Sequence, residues 1–251
     1  MKRPKDKFSK QSEAYKKFRP TYPHALYSEI LKWVQNRDTC WDCGTGSGQV
    51  ASELSPYFRT VFATDISQKQ LQNAGNRDNV IFKVERSENT SFADNQFDLI
   101  TVAQAIHWFD MAAFHKEVRR VAKNGCVLAV WGYGLLRISP AVDRLMDYFY
   151  KEVIGPYWDK ERKHIDASYK TIDLDFKPIT IATDFAITVT WDFEHLEGYL
   201  NTWSSVQNYR DRNDGKNPVN AFMDSVRSVW DETEQRNVNF PIFIRALRVE
   251  K

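Results

Sequence analysis

At 251 residues with 42% hydrophobic content, the chain is long enough to bury one large core, and its length favours a single domain over residues 1–251 rather than several. That composition argues against disorder, and no apolar run approaches the roughly 20 residues that a membrane helix needs. The opening MKRPKDKFSK lacks the apolar core of a secretory signal, so the expectation is a cytoplasmic protein that enters no membrane.

The net charge of +2 is unevenly spread. Residues 1–20 carry Lys2, Arg3, Lys5, Lys7, Lys10, Lys16, Lys17 and Arg19 against only Asp6 and Glu13, an excess that invites an anionic partner. Nucleic acid is disfavoured as that partner, because no second basic stripe of this density follows and no nucleic-acid-binding signature is present. A small carboxylate, or a merely solvated terminus, explains the excess as well. In YKKFRPTYP, Pro20 bars Arg19 from a helix interior and Pro23 suits the first turn of a helix that Ala25, Leu26 and Ile30 begin. Arg19 is thereby placed on a capping segment, expected over residues 1–36.

Beyond the cap, short β-branched and aromatic runs alternate with helical spacing, the pattern of a parallel sheet covered on both faces. Strands are expected at TCWDC (39–43), TVFAT (60–64), VIFKVE (80–85), FDLITVAQA (97–105) and GCVLAVWGY (125–133). Between them, Val50, Leu54 and Phe58 mark one helix, and Met111, Phe114, Val118 and Val121 another, which Asp110 would cap and Asn124 with Gly125 would end. From residue 135 to about 180 the rhythm changes: Val142, Leu145, Met146 and Phe149 keep helical spacing but no strand is evident. This stretch is expected to be a lid-like insert. Helix candidates HLEGYLNTWSSVQNYR and VNAFMDSVRSVWDE then lie between two late strands, TDFAITVTW (183–191) and FPIFIRALRV (240–249).

The chemistry concentrates in WDCGTGSGQVA, residues 41–51. A strand running into a glycine-rich turn and then a helix suggests a nucleotide site. A dinucleotide fingerprint reads G-x-G-x-x-G, whereas here the glycines are Gly44, Gly46 and Gly48, with Asp42 two residues before the first. A carboxylate at the strand end repels pyrophosphate but suits a cofactor that presents an ammonium and a sulfonium and has no phosphate, a description that fits S-adenosylmethionine. Asp65 closes the next strand seventeen residues beyond Gly48, where an acceptor carboxylate can take hydrogen bonds from both ribose hydroxyls. Cys40 and Cys43 form a Cys-x-x-Cys, but the period of two points them to different faces and no second pair completes a ligand set, so no metal is expected.

With DCGTGSGQVA, VFATDIS, ERSENTSFADNQFDLITVAQAIHWFD and TWSSVQNYR quoted from this sequence, the chain resembles the class I S-adenosylmethionine-dependent methyltransferases. The nearest group is type 11, including trans-aconitate methyltransferase-like proteins. The resemblance implies an α/β Rossmann-like seven-stranded sheet, order 3-2-1-4-5-7-6, with the last strand antiparallel and helices on both faces. It implies that Asp42, Gly44, Gly46 and Gly48 hold the methionyl part, Asp65 the ribose and Ile66 one adenine face. Ser87 and Glu88 occupy the place where relatives commonly read Ala-Glu, with the residue before that pair, or a backbone amide of Ser87, meeting the adenine, and Gln104 closes the pocket near the methionyl carboxylate or the sulfur. Arg86 stands where many relatives place a small or acidic residue.

On the acceptor side, His107 is a general base, an anion-binding group or a packed histidine, and Arg19, Tyr22, Trp108 and Trp203 are the candidate substrate contacts. Trp203 also belongs to a helical stripe with Leu196, Tyr199, Leu200 and Val206, which reads as core. The expected partner is a small-molecule acceptor, with a carboxylate among the candidates. An RNA methyltransferase using the basic N-terminus, and a cofactor-binding protein without turnover, stay open as alternatives.

Overall fold

The computed structural model describes residues 17–182 and 184–251. The basic side chains Lys2 to Lys16 therefore lie outside the described residues, as does the first part of the cap expected over 1–36. In chain order come α1 (His24–Leu31), β1 (Thr39–Cys43), α2 (Gln49–Leu54), β2 (Thr60–Asp65), α3 (Gln68–Gln72), β3 (Val80–Val84), β4 (Phe97–Ala103), α4 (Met111–Val121) and β5 (Ala122–Tyr133). The second half holds α5 (Pro140–Tyr148), α6 (Arg162–Asp166), β6 (Lys177–Ile179), β7 (Ala186–Trp191), α7 (Phe193–Asn201), α8 (Ser204–Arg212), α9 (Pro218–Val226) and β8 (Arg236–Val249).

The strands form one sheet in the order β3-β2-β1-β4-β5-β8-β6, with β7 also pairing β8. Strands β1 to β5 are parallel, and β8 runs antiparallel to β5. The edge beyond β8 is one position occupied twice: β6 pairs with Ala246 to Arg248, and β7 with Arg236 to Pro241. The implied seven-stranded order therefore holds if that edge counts as one interrupted strand. β6 has only three residues and includes Pro178, which lacks an N–H and is tolerated at an edge. So short a segment has no alternation to read.

Parallel strands covered on both faces become nearly continuous apolar runs, and β4 is buried along almost its whole length. The period of two sends alternate side chains to opposite cores. Cys40 joins Val50, Leu54, Val61 and Leu99 on one face; Trp41 and Cys43 join Phe97, Phe114 and Val118 on the other. All three cysteines are free and buried, Cys40 and Cys43 on opposite faces.

Several boundaries differ from expectation: β7 starts at Ala186 and β8 at Arg236, Phe58 lies beyond the end of α2, and two further differences have a clear local cause. α4 starts as foreseen, with the Asp110 carboxylate accepting from Ala113 N–H at 3.4 Å, but it ends at Val121, and Asn124 and Gly125 lie inside β5. Gly125 has φ +83°, and the β4–β5 register slips between Phe97 and Leu99, so the glycine serves an irregularity in the strand rather than a helix end. The stretch around TWSSVQNYR is two helices broken at Thr202 and Trp203, not one. Its stripe of Leu196, Tyr199, Leu200, Trp203 and Val206 is nonetheless fully buried.

The segment before α1 is fastened to α7. Phe18 lies against Gly198, where an added Cβ would fall 2.4 Å from the ring. It also meets His195 edge-on at 5.2 Å, and His195 Nε2 lies 3.3 Å from the Phe18 carbonyl. Gly198→Ala should therefore unseat the segment without disturbing the sheet. A helix-interior Gly→Ala gains roughly 1 kcal/mol in propensity, which offsets the lost ring contact. Tryptic cleavage after Lys17 is expected to accelerate several-fold while Tm moves by no more than about 3 °C; unchanged cleavage would show that the ring does not hold the segment.

Candidate functional site

The carboxyl ends of parallel strands share one edge of a sheet, and ligands of open α/β folds bind there. Here that edge opens into a cavity of about 410 Å³ whose wall includes Asp42, Gly44, Gly46, Asp65, Ile66, Gln70, Ser87, Gln104, Trp108, Tyr133, Arg19 and Glu161. Each strand end contributes one stretch of wall.

At the end of β1, Asp42 is 1% exposed. Its register partner on β4 is Thr101, whose hydroxyl donates to Asp42 Oδ1 at 2.8 Å, and the Thr45 hydroxyl donates to Oδ2. Burial nevertheless outweighs these bonds and pushes the Asp42 pKa up to about 6. The turn that follows puts Gly44 at φ +68°, with an ideal Cβ 2.6 Å from the Ala105 methyl. Gly46, at φ +57°, has nothing within 4 Å of where a Cβ would stand, so a side chain there would occupy the cavity. Gly48 does not line it; an added Cβ would strike the Phe82 ring at 2.8 Å, so this glycine serves helix-to-strand packing.

Asp65 ends β2. Its Oδ2 accepts the Gly46 N–H at 2.9 Å and its Oδ1 the Ser67 N–H at 2.8 Å, which fixes the carboxylate at the lip. Ile66 follows and stays 39% exposed, an apolar side chain presented to the cavity. From the segment after β3, Glu88 lines the wall, but its Oε2 accepts from Arg86 Nε at 3.3 Å and its Oε1 from Asp110 N–H at 3.0 Å, tying that segment to the start of α4.

Gln104 leaves β4 at φ +53°, a left-handed conformation uncommon for a residue with a Cβ. Its Nε2 donates to the Tyr133 carbonyl at 3.3 Å, whereas its Oε1 is buried and accepts no hydrogen bond among the described residues. Trp108 lines the cavity, but His107 beside it does not. His107 is 8% exposed, and its Nδ1 lies 3.0 Å from the Tyr169 hydroxyl. Burial, with Arg162 and His164 adding repulsion, pushes its pKa down to about 3. The ring is therefore neutral at ordinary pH and sits behind Trp108, the packed arrangement among the three foreseen. Trp203 is also off the wall, 3% exposed among Phe149, Tyr150, Trp158 and Tyr199.

Arg19, Pro20 and Tyr22 form the roof. The Arg19 guanidinium lies over the Tyr199 ring, 5.1 Å from its centroid, and Nη1 donates to the Tyr133 hydroxyl at 2.7 Å. Tyr22 meets Trp131 edge-on at 5.7 Å. The insert adds Lys160 and Glu161. Sequence reasoning passed over Tyr133, Gln70, Lys160 and Glu161. Tyr133 carried a usable signal, since it closes a foreseen strand at the ligand edge, whereas Lys160 and Glu161 reach the wall through long-range packing alone.

Five acids (Asp42, Asp65, Glu85, Glu88 and Glu161) and three bases (Arg19, Arg86 and Lys160) surround the cavity. Among the described residues no cluster of His, Cys, Asp or Glu is arranged to hold a metal ion. Such a wall disfavours a pyrophosphate and favours a nucleoside bearing positive charge. Open space at Gly46, the bonded carboxylate of Asp65 and the unsatisfied acceptor of Gln104 all fit a ligand with a ribose and an ammonium. Fold and cavity together define an α/β protein whose strand-end cavity suits a cationic nucleoside.

Comparison with known proteins makes the class specific. A family profile described as a methyltransferase domain matches residues 41–130. A Dictyostelium discoideum protein named as a candidate methyltransferase is 32% identical over 247 residues, covering 95% of this chain and 93% of its own length. The solved structure of a candidate type II methyltransferase from Anaeromyxobacter dehalogenans aligns with a TM-score of 0.85 at 35% identity, covering 93% of this chain and 99% of that one. A candidate methyltransferase from Bacillus halodurans, at 18% identity and a TM-score of 0.52 over 90% of this chain and all of its own, shares the fold. The chain belongs to the class I S-adenosylmethionine-dependent methyltransferases, in the type 11 group. Its methyl donor is accordingly S-adenosylmethionine, and its reaction requires a methyl acceptor.

The burial of Asp42 sets a pH dependence. A cationic ligand favours the ionised carboxylate, so binding must remove a proton wherever Asp42 is protonated in the free protein. With a free-state pKa of about 6, affinity for S-adenosylhomocysteine should be flat above pH 7 and fall as pH drops through 6. It should be about tenfold weaker at pH 5, with protons released on binding. Calorimetry in buffers of different ionisation enthalpy measures both quantities, and Asp42→Asn should flatten the profile.

Proposed function

We propose that the chain transfers a methyl group to a carboxylate oxygen of a small molecule. The observation that carries this reading is the hydrogen bond from Arg19 to Tyr133 across the roof, because a planar guanidinium held by a ring and a phenol is pre-oriented to clamp a carboxylate. A carboxylate is ionised at neutral pH and needs no base, which agrees with a site whose nearest histidine is neutral and off the wall. Bound S-adenosylmethionine supplies a methyl on a sulfonium, an already activated carbon. The protein's task is then positioning, worth on the order of 7 to 11 kcal/mol in well-aligned cases.

In this reading Asp42, Gly44 and Gly46 border the methionyl end, Asp65 accepts from the ribose, and Ile66 covers one adenine face. Gly48 supports the turn from behind, Ser87 faces the base, and Glu88 orders the segment that carries it. The roof segment and the residue 135–180 insert act as the lid, and Tyr22 and Trp108 give the acceptor its apolar walls. A cytoplasmic location goes with this reading as part of the proposal; separately, no described helix is long and apolar enough to cross a membrane.

Purified protein should bind S-adenosylmethionine and S-adenosylhomocysteine but neither NAD nor NADP. Asp65→Asn should weaken that binding by about 1.5 to 3 kcal/mol, the scale of a charge-assisted hydrogen bond. With a panel of small mono-, di- and tricarboxylates as acceptors, Arg19→Ala should raise the acceptor KM at least about tenfold, and Tyr133→Phe should raise it by less. Methyl transfer to hydroxyls or amines alone, or RNA binding with steep salt dependence, would overturn the carboxylate reading and leave the family assignment standing.

A further inference from the structure

Gln70 stands on α3, five residues beyond Asp65, and its side chain is an anomaly. It lines the cavity yet is only 3% exposed. Its backbone N–H bonds the Ser67 hydroxyl at 3.3 Å, but among the described residues Oε1 is buried without a hydrogen-bond partner. Burying an amide without a partner is unfavourable, and α3 is an exposed surface helix that gains nothing from one. As it stands Oε1 is turned away from solvent, so a partner in the cavity meets it only after the carboxamide turns over. Since no hydrogen bond fixes which end of the carboxamide faces the cavity, the group can turn to present its oxygen.

The neighbours narrow what that partner is. Gln70, Ile66 and Ser67 follow β2, and Glu85, Arg86, Ser87 and Glu88 follow β3; all line the cavity, and the order β3-β2-β1-β4 sets these two strand ends to one side of Asp42 and Gln104, the side that the S-adenosylmethionine reading gives to the base. A purine with an exocyclic amine needs a hydrogen-bond acceptor there. Arg86 cannot supply one, because a guanidinium only donates. Glu85 is engaged by the Ser91 N–H and hydroxyl, and Glu88 by Arg86 and the Asp110 N–H.

Resting on the S-adenosylmethionine reading of the site, we propose that Gln70 recognises the adenine, its carboxamide oxygen accepting a hydrogen bond from the 6-amino group. Gln70 is then a specificity-determining residue for the cofactor's base, supplying the acceptor that the Arg86 guanidinium cannot.

The test compares S-adenosylhomocysteine with its purine analogue lacking the 6-amino group, titrated calorimetrically into the full chain, so that no acceptor is needed. Wild type should prefer the adenine form about tenfold, the value of one well-placed hydrogen bond. Gln70→Met, similar in volume but without an acceptor, should bring the two ligands to about equal affinity, and its ligand-free Tm should be unchanged or higher because an unsatisfied amide is removed. Gln70→Leu serves as a second apolar variant, and Gln72→Met, at an exposed position of the same helix, should keep the wild-type preference. Equal binding of both ligands by wild type, a preference that survives in both apolar variants, or one lost in Gln72→Met would overturn the assignment to Gln70. Failure of wild type to bind S-adenosylhomocysteine at all would instead overturn the cofactor reading itself.

Discussion

The site depends on one carboxylate. Asp65 accepts N–H groups from Gly46 and Ser67 at once, and so staples the turn after β1 to the turn after β2. Each bond is charge-assisted and short, stronger than a neutral pair. Their joint effect is geometric: the glycine turn is held open in left-handed conformations at Gly44 and Gly46, and the acid that does so stays at the cavity lip. Asp42 works from below in the same manner, bridging Thr45 of the turn and Thr101 of β4. Three strand ends are thereby fixed relative to one another by two side chains.

Holding Asp42 this way has an electrostatic consequence. Two hydroxyls do not compensate for complete burial, so the carboxylate is left with a raised pKa and an unsatisfied demand for positive charge. The group that destabilises the free cavity is the one that a cationic ligand relieves. Buried, incompletely compensated polar groups recur around this wall, at Gln70 and Gln104 as well as at Asp42, and such groups mark where a protein has traded stability for recognition.

The half of the site built on strand ends was legible in the sequence because its constraints are local. Glycine spacing, an acid two residues upstream and a second acid closing the next strand each follow from backbone geometry within a few residues. The strands themselves were legible for the same reason, since five buried parallel runs separated by helical spacing leave few topologies. β6 was not, being three residues with a proline. His107 shows the opposite limit. Its position after β4 suggested chemistry, but its surroundings are set by Tyr169, sixty-two residues on, which no local pattern announces.

The roof extends that limit to function. Arg19 is oriented by Tyr133 and Tyr199, the segment carrying it is fastened by Gly198 and His195, and Tyr199 in turn packs on Trp203, which packs on Trp158 of the insert. The N-terminal segment and the insert therefore meet the same aromatic cluster from two sides, and that cluster lies in the core behind the cavity rather than on its wall. On the proposed reading, Trp203 acts on an acceptor through this packing without touching it. The strand-end wall is consequently fixed by the sheet, whereas the roof, where the proposed reading puts the acceptor, is fixed by side chains that touch across more than a hundred residues of sequence. A substitution in the aromatic cluster can reshape the acceptor site while the strand-end acids stay where they are.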